Sequence, residues 1–488
     1  MVPSIRRQVC NEAPPRPEGD YVLYWLLTNR RATWNFSLQR AIEWAQELDK
    51  PLVVLESLGV SQPWACDRFH RFVLEGMREN RHAFAARGAL YYPYVEPAAG
   101  AGDGLLQALA AHACVVVTDE FPCFFLPQLV RALSPTLGVR VEMVDSNGLL
   151  PLRATDKAHA TAYSFRRMLH KTLPAHLLQL PQPDPLANTP LPRLEALPER
   201  ITRRWPAATK ALLDGEASAL AALPIDHAVR PVDTLSGGHS SACEVLDAFL
   251  SEKLARYDEA RNVPDEAASS GLSIHLHWGH ISAHEVFARL MRQEGWTPAN
   301  LSSKPTGQRH GWWGASPEAE SFLDELITWR ELSFNTCVYV PNYDRYESLP
   351  EWAQATLDKH AADPRPVRYA LSEFEAARTH DPLWNAAQRQ LVREGRIHNY
   401  LRMLWGKKIL EWSASPREAL DTLIQLNNKY ALDGRDPNSY GGISWILGRY
   451  DRPWGPERPI FGTIRYMSSE NTARKVSVKE YLRRYAGP

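Results

Sequence analysis

The 488-residue sequence lacks several features that would point to a particular class of protein. Its six cysteines are scattered and form no C-x-x-C pair, which argues against a zinc site and against a disulfide framework. No apolar run approaches the roughly 20 residues that span a bilayer, and the N-terminal segment lacks the apolar stretch of a secretory signal. We therefore expect a cytoplasmic protein with reduced thiols and no membrane segment.

Two further absences concern nucleotides and nucleic acids. The sequence contains no G-x-G-x-x-G and no G-x-x-x-x-G-K-[ST] motif, so any nucleotide is held by something other than the standard glycine loops. Its 56 basic residues are balanced by 56 acidic ones, which gives no overall attraction to a polyanion. A local excess of base between Arg449 and Arg484 is either a solvated face or a contact for nucleic acid.

Tryptophan, in contrast, is abundant. The chain has 16 tryptophans, many of them from Trp278 onward. A tryptophan can fill a core, form a stacking platform for bases or take part in a redox relay. Composition alone does not distinguish these three uses.

Short apolar runs alternate with helical patterns in the first third of the chain. Buried strands are predicted at residues 21–27, 51–58 and 113–120. Continuous Val-rich strands separated by helices are typical of a parallel sheet covered on both faces. We predict a doubly wound, Rossmann-like α/β domain over residues 18–165, preceded by an N-terminal tail at residues 1–17.

The composition then changes twice. Proline becomes frequent between about residues 174 and 235, which disfavours long regular elements and predicts an interdomain connector over residues 166–240. After it the patterns are nearly all helical, and we predict an all-helical domain over residues 241–488.

Within this helical half, seven segments carry long and specific motifs. They are RNVPD (261–265), SSGLSIHLHWGHIS (269–282), DELITWRELSFNTCVY (324–339), THDPLWNAAQ (379–388), GRIHNYLRMLWGKKILEW (395–412), LNNKYALDGRDPNSYGGISW (426–445) and ERPIFGTIRYM (457–467). In content and order they resemble the class II cyclobutane pyrimidine dimer photolyases, part of the photolyase and cryptochrome superfamily. The resemblance extends, more diffusely, over the α/β half, and it implies an FAD-binding helical domain.

The SSGLS segment has the residue types of a phosphate cradle, because hydroxyls and backbone N–H groups at a helix start bind anions well. An ordinary serine cap is the alternative. The resemblance implies that this segment and the nearby Tyr257 bind the FAD diphosphate. The five residues concerned are Ser269, Ser270, Gly271, Leu272 and Ser273. Two departures from the family pattern LSPYLH occur here, at Ile274 and His275.

For the flavin ring the resemblance implies an ion pair between Arg402 and Asp433, together with a contact from Asn427 to flavin N5. An arginine–carboxylate pair can fix geometry and tune the electrostatics of a bound ring. A neutral amide can donate to or accept from N5 as the protonation of the ring changes.

Three tryptophans have the spacing of a relay. Trp405 and Trp412 are seven residues apart, two turns along one helix face, and Trp384 lies on the preceding predicted helix. Tryptophans at such spacing are also common in cores. The resemblance implies that all three carry an electron to the flavin.

Glu325 and Trp329 are four residues apart, so a carboxylate and an indole share one helix face. The resemblance implies that Glu325 hydrogen-bonds the lesion while Trp329, Met403 and Trp445 pack against its bases. It also implies that Arg465 fills the gap left in the duplex, although the family's FGKIRYM reads FGTIRYM here, with Thr463 in place of a lysine.

His275, His277 and His280 form an H-x-H-x-x-H pattern that could be drawn as a metal site. No cysteine lies close in sequence, and the resemblance makes these histidines packing residues. No metal is predicted.

The resemblance implies a light-driven lyase, a deoxyribodipyrimidine photo-lyase, that uses reduced FAD to split dimers in DNA. Excited flavin donates an electron to a flipped-out dimer and recovers it after the ring opens. We expect damaged DNA as the partner and a monomeric protein. The resemblance also allows an antenna chromophore in the α/β domain, but no motif identifies which compound it would be.

Two other functions remain open from the sequence. A photoreceptor of the cryptochrome type would keep the flavin and the relay, but it has no need of a lesion pocket. A flavoenzyme acting on a small molecule would suit the neutral charge and the altered LSIHLH and FGTIRYM segments, and salt-dependent DNA affinity would count against it.

Overall fold

The computed structural model describes residues 1–487, and six strands in this range form a mixed sheet. The strands are β1 Arg7–Val9, β2 Tyr21–Leu26, β3 Leu52–Leu58, β4 Leu90–Val95, β5 Ala113–Asp119 and β6 Val141–Val144. Their order across the sheet is β1-β6-β5-β2-β3-β4. Only the pairing of β1 with β6 is antiparallel among these strands. The predicted doubly wound α/β fold is confirmed.

The central strands are buried along their whole length, as their continuous apolar runs require. Every residue of β2 and β5 is buried, and Val22 lies opposite Leu52 of β3 and Val115 of β5. A strand covered on both faces has no solvent side, so it shows no polar alternation.

Strand β1 lies in the segment expected to be a tail. Arg7 pairs with Val144 of β6, and the buried Arg6 donates to the backbone oxygen of Leu149 at 2.7 Å. The sequence of β1, RQV, is short and mostly polar, so it carries no apolar pattern by which a strand could be recognised.

Twenty-two α-helices are found in the described residues. They are α1 Phe36–Leu48, α2 Asp67–Ala86, α3 Leu105–Ala110, α4 Leu126–Leu133, α5 Ala162–Thr172, α6 Glu199–Arg204, α7 Lys210–Leu213, α8 Ala217–Ala221, α9 His239–Ala248, α10 Tyr257–Ala260, α11 Ser273–His277, α12 Ala283–Gln293, α13 Pro317–Leu323, α14 Arg330–Tyr339, α15 Glu351–Lys359, α16 Leu371–Glu375, α17 Pro382–Glu394, α18 Asn399–Trp412, α19 Pro416–Tyr430, α20 Pro437–Ile446, α21 Ser469–Lys475 and α22 Lys479–Arg484.

The chain divides into two compact units. The α/β unit comprises residues 1–155, 172–247 and 272–293, and the helical unit comprises residues 156–171, 248–271 and 294–488. Each unit is therefore built from three separate segments of the chain. The predicted domain limits at residues 165 and 240 stay predictions.

Helices α17, α18 and α19 of the helical unit carry the three predicted relay tryptophans together with Arg402, Met403 and Asn427. The side chain of Asp381 caps α17 by accepting from the backbone N–H groups of Leu383 and Trp384, and Gly395 ends this helix with a φ of 66°. Ser415 caps α19 in the same way. These caps fix where each helix begins and so which side chains face one another.

A π-helical turn, Asp324–Trp329, lies between α13 and α14, where Glu325 and Trp329 were predicted to share one helix face. Such turns insert one extra residue into a helix and are frequent at functional sites.

No helix within residues 1–487 combines the length and the apolar composition needed to cross a membrane.

Candidate active site

Two consecutive helices bring Arg402, Asn427 and Asp433 together. Arg402 lies on α18, Asn427 lies on α19, and Asp433 follows α19. Nη2 of Arg402 is 3.1 Å from Oδ1 of Asp433, and Nη1 donates to Oδ1 of Asn427 at 2.5 Å. The three residues predicted to face a flavin are therefore in mutual contact, while their role toward the flavin stays a prediction.

The surroundings of this trio offer polar atoms for a further group. Asn427 is buried, its Nδ2 donates to Oγ of Ser439 at 2.6 Å, and its Oδ1 keeps a second lone pair. One turn before Arg402, both ring nitrogens of His398 are buried without a hydrogen-bond partner in the described chain. Burial lowers the pKa of His398 to about 4, so its ring is neutral at pH 7. These donors and acceptors fit a polar, planar cofactor such as a flavin.

The predicted phosphate cradle lies where the chain passes from the helical unit to the α/β unit, between Gly271 and Leu272. Ser269 and Ser273 are exposed, and Gly271 has a φ of 76°, a conformation that side chains disfavour. Helix α11 begins at Ser273 but has only five residues. The cradle role of this segment stays a prediction.

Tyr257 and Glu325 are linked by an arginine that was not predicted to belong to the site. Nη1 of Arg261 lies 2.5 Å from Oε1 of Glu325, and the guanidinium carbon of Arg261 lies 5.6 Å from the centre of the Tyr257 ring. Tyr257 packs edge-on against Phe322 at 5.5 Å. Burial, helped by the negative charge of Glu325, raises the pKa of Tyr257 well above its ordinary value, so the phenol stays neutral.

Glu325 and Trp329 are the half-exposed residues of the π-helical turn. The other residues of this turn, Asp324 and 326–328, are buried. The Glu325 side chain is 29 % exposed although its partner Arg261 is only 12 % exposed. The turn therefore presents one carboxylate and one indole, four residues apart, toward open space.

Met403 and Trp445, predicted to pack against a lesion, are also half-exposed, on helices whose residues are mostly buried. Nζ of the fully buried Lys407 lies 5.0 Å from the centre of the Trp445 ring and donates to the backbone oxygen of Ile446 at 2.6 Å. Burial lowers the pKa of Lys407 to about 7.

Arg465 is engaged within the protein. Its Nε is 3.0 Å from Oδ2 of Asp451, and its guanidinium carbon lies 4.1 Å from the ring centre of Trp454 and 5.5 Å from that of Trp445. To fill a gap in a duplex, as predicted, this side chain would have to leave Asp451 and Trp454.

The three predicted relay tryptophans lie in one buried cluster of the helical unit. The ring centres of Trp384 and Trp412 are 5.9 Å apart, and Nε1 of Trp384 donates to the backbone oxygen of Trp405 at 2.9 Å. Trp384 therefore touches both other members. Nε1 of Trp405 donates to Oε1 of Gln388 at 2.9 Å, which fixes that ring as well.

Arg261 and Lys407 are the site residues that the sequence missed. Arg261 belongs to the RNVPD motif, which was noted without a role for any member. Lys407 lies beside Lys408 in a helix, and a pair of lysines there indicates a solvated face, so nothing in the sequence marked either lysine as buried.

The basic C-terminal segment offers less free positive charge than its composition indicates. Arg449 is buried and donates to the backbone oxygen of Ser348 at 2.6 Å. Three other arginines have carboxylate partners. These pairs are Arg465 with Asp451, Arg483 with Glu480 and Arg484 with Glu394. The predicted DNA contact therefore has fewer unpaired arginines than the residue count suggests.

No family model matches the chain. Three relatives, each named deoxyribodipyrimidine photo-lyase, match nearly its whole length. The protein of Methanothermobacter thermautotrophicus is 36% identical over 489 residues, covering 100% of this chain and 99% of the relative. Those of Oryza sativa and Potorous tridactylus are 33% and 32% identical, each over 98% of this chain and over 89% and 84% of the relative.

Two solved structures share the fold at lower identity. A bacterial class III photolyase from Agrobacterium tumefaciens gives a TM-score of 0.67 at 18% identity, covering 96% of this chain and 86% of that structure. A cryptochrome from Synechocystis gives a TM-score of 0.66 at 14% identity, covering 99% and 89%. At these identities, the two structures show that the chain shares their fold.

Proposed function

This chain belongs to the deoxyribodipyrimidine photo-lyase family, and we propose that it is a class II member that repairs cyclobutane pyrimidine dimers in DNA with light. The single observation that carries this proposal is the π-helical turn with Glu325 and Trp329 half-exposed among buried neighbours. A lesion pocket needs one polar group for the edge of a base and apolar walls for its faces. This turn supplies both types of side chain.

The cofactor is FAD in this proposal. Arg402, Asn427 and Asp433 would hold its ring, and Ser269 with Ser270 would contribute to binding its phosphates. Reduced FAD held by these residues would supply an electron to the dimer under blue or near-UV light and take it back once the cyclobutane ring had opened. The mostly buried arginine–carboxylate pair and the buried amide would fix the position of its ring.

Glu325 positions the dimer. Its carboxylate has one oxygen bonded to Arg261, which leaves the other oxygen to accept from the N–H edge of a base. The Arg261 side chain is mostly buried and anchors the ion pair, whereas the Glu325 carboxylate is the more exposed partner and is accessible to a base. Trp329 and Trp445 form walls, since an indole face stacks on any base.

The contacts of Trp384 support a relay in the order Trp405, Trp384, Trp412. Trp384 touches the other two through a ring contact and a hydrogen bond. Such a relay would restore the reduced cofactor after accidental oxidation and is not needed in each repair cycle.

Damaged DNA is the proposed partner. Location in the cytoplasm, the monomeric state and an antenna chromophore in the α/β unit stay predictions.

The test is light-driven repair by purified, photoreduced protein, followed through the return of thymine absorbance in a dimer-containing oligonucleotide. Glu325→Gln is expected to lower repair by about 10- to 100-fold, the value of one hydrogen bond to a charged group, while bound flavin stays unchanged. Glu318→Gln is the matched control, because Glu318 is a half-exposed glutamate on the adjacent α13.

Two results would contradict the proposal. The first is that the natural protein, fully loaded with reduced FAD and illuminated, does not restore the thymine absorbance of the dimer-containing oligonucleotide. The second is repair by the Glu325→Gln variant at the rate of the Glu318→Gln control.

A further inference from the structure

A second group of reactive side chains lies in the α/β unit, outside the site described above. His239, Cys243 and Glu285 direct one ligand-type atom each to a common point, and these atoms lie within 4.8 Å of one another. All three residues belong to the α/β unit. His239 and Cys243 are four residues apart on α9 and share one face of it, while Glu285 lies on α12.

The distances from the Cys243 sulfur to the two other groups match those between ligand atoms around a tetrahedral zinc ion. Sγ of Cys243 is 3.5 Å from Nε2 of His239 and 3.6 Å from Oε1 of Glu285. The metal–ligand lengths of zinc place neighbouring ligand atoms about 3.3 to 3.6 Å apart. Nε2 of His239 lies 2.9 Å from the other carboxylate oxygen, Oε2 of Glu285, at the length of a hydrogen bond that an ion would replace.

The backbone before His239 is held firmly, which fixes the position of its ring. The N–H of Gly237 donates to Oε2 of Glu75 at 2.6 Å, and that of Gly238 donates to Nδ1 of His280 at 3.0 Å. At Gly237 an added Cβ would lie 1.8 Å from the backbone oxygen of Phe72, so only glycine allows this close approach. The start of α9 is therefore prearranged, and metal sites gain affinity from such prearrangement.

The electrostatics of the cluster suit a divalent cation. A thiolate and a carboxylate would together supply two negative charges. The nearby Arg31 directs its guanidinium to backbone oxygens, with Nη1 2.9 Å from that of Gly279 and Nη2 3.1 Å from that of Trp34. The positive charge of Arg31 is thus partly offset by these backbone oxygens, which reduces its repulsion of a cation bound at the cluster.

The cluster also has an open side. Glu285 is 6 % exposed but His239 is 24 % exposed, and Cys243 is half-exposed. Oγ1 of Thr33 lies 3.3 Å from Nε2 of His239. Water can therefore reach a fourth position next to a hydroxyl that can hydrogen-bond it.

We propose that His239, Cys243 and Glu285 bind one zinc ion, with water as the fourth ligand. Zinc is favoured because a set of sulfur, nitrogen and carboxylate oxygen in tetrahedral arrangement is typical of that ion. The ion ties α9 to α12 and thereby fixes the end of the proline-rich segment on the α/β unit. This site is distinct from the H-x-H-x-x-H pattern, whose His275 and His280 are buried against Phe72 at 5.4 and 5.0 Å.

The test uses the full-length protein with its flavin, kept in the dark and free of DNA, so its outcome does not depend on repair. Metal is removed with a chelator under reducing conditions and replaced by Zn²⁺ or Co²⁺. Elemental analysis is expected to find one zinc per chain, and the zinc-loaded protein is expected to melt at a higher temperature than the metal-free protein. The cobalt difference spectrum is expected to show a thiolate-to-metal charge-transfer band.

Cys243→Ser is expected to lose the charge-transfer band, and Glu285→Gln, which keeps the thiol, is expected to lose most of the bound metal. Cys337→Ser is the matched control, because Cys337 is another half-exposed cysteine on a helix, α14, in the other unit. Flavin content checks that each variant is folded. The proposal is overturned if the natural protein takes up no zinc, or if both variants retain metal and charge-transfer band as fully as Cys337→Ser.

Discussion

Two sets of tryptophans in the helical unit have the same chemistry but different surroundings. Trp384, Trp405 and Trp412 are 0, 1 and 3 % exposed and pack within one apolar cluster. Trp329 and Trp445 are half-exposed, on helices whose other residues are mostly buried. A base can stack only on an indole whose face it can reach. The second set is therefore available to a substrate, whereas the first set can act only by packing or by passing an electron.

The largest expected effect comes from the middle of the buried set. Trp384→Phe keeps an aromatic ring but removes the indole that touches both Trp405 and Trp412. We expect photoreduction of oxidised flavin to fall to background, while repair by chemically reduced protein is unchanged. Transient absorption and the repair assay measure the two quantities.

Trp312→Phe is the control for that experiment, because Trp312 is buried in the same unit but stacks on His170 at 4.1 Å, outside the relay cluster. Equal loss of photoreduction in both variants would show that burial alone, rather than the relay, explains the result.

A smaller effect is expected from the half-exposed set. Trp445→Ala removes one stacking face, which is worth about 1 to 3 kcal/mol per base, so affinity for dimer-containing DNA should fall by about 10- to 100-fold. Binding in the dark to damaged and undamaged oligonucleotides separates lesion recognition from backbone affinity. Trp445→Phe should retain most of the affinity, and an unchanged affinity in Trp445→Ala would remove this residue from the lesion pocket.

The smallest effect concerns Lys407, which lies on α18 with two relay tryptophans and also contacts the Trp445 ring. Its pKa of about 7 is well below the value near 10.5 of an unfolded lysine. Between these values the unfolded chain binds more protons, so the free energy of unfolding rises with pH. Lys407→Met should therefore be more stable than the natural chain, by about 1 to 2 kcal/mol at about pH 6, with the difference shrinking toward about pH 9.

Denaturant unfolding at several pH values measures this difference. Lys408→Met is the control, because burial of Lys408 is outweighed by its hydrogen bond to Glu411 together with the negative charges around it, which raise the pKa of Lys408 above its ordinary value. This control should lose stability slightly near neutral pH. The interpretation fails if the stability difference between Lys407→Met and the natural chain varies with pH no more than the difference for Lys408→Met.

The sequence predicted the sheet well because each central strand carries its own signal. A run such as ACVVV at the start of β5 is apolar throughout, so it predicts a buried strand without reference to the rest of the chain. Strand β1 has three residues and no apolar pattern, and its place depends on pairing with β6 far along the chain. Long-range pairing leaves no mark in a local window.

The candidate site divides in the same way. Arg402, Asn427 and Asp433 were found through family motifs, and their mutual contacts follow from two adjacent helices. The π-helical turn was missed because its sequence, DELITW, has the same apolar spacing as an ordinary helix. Cys243 and Glu285 are 42 residues apart, so no spacing rule for metal ligands could join them.

The pairing of Arg465 with Asp451 bears on how quickly the protein meets its substrate. The charge of a guanidinium that is paired with a carboxylate is largely neutralised, and salt screens what remains beyond about 8 to 10 Å in physiological salt. This pair therefore does little to steer a polyanion, and Arg465 should add little to the dependence of the encounter rate on ionic strength. For the DNA partner proposed above, Arg465 becomes available only after contact, once it has left Asp451.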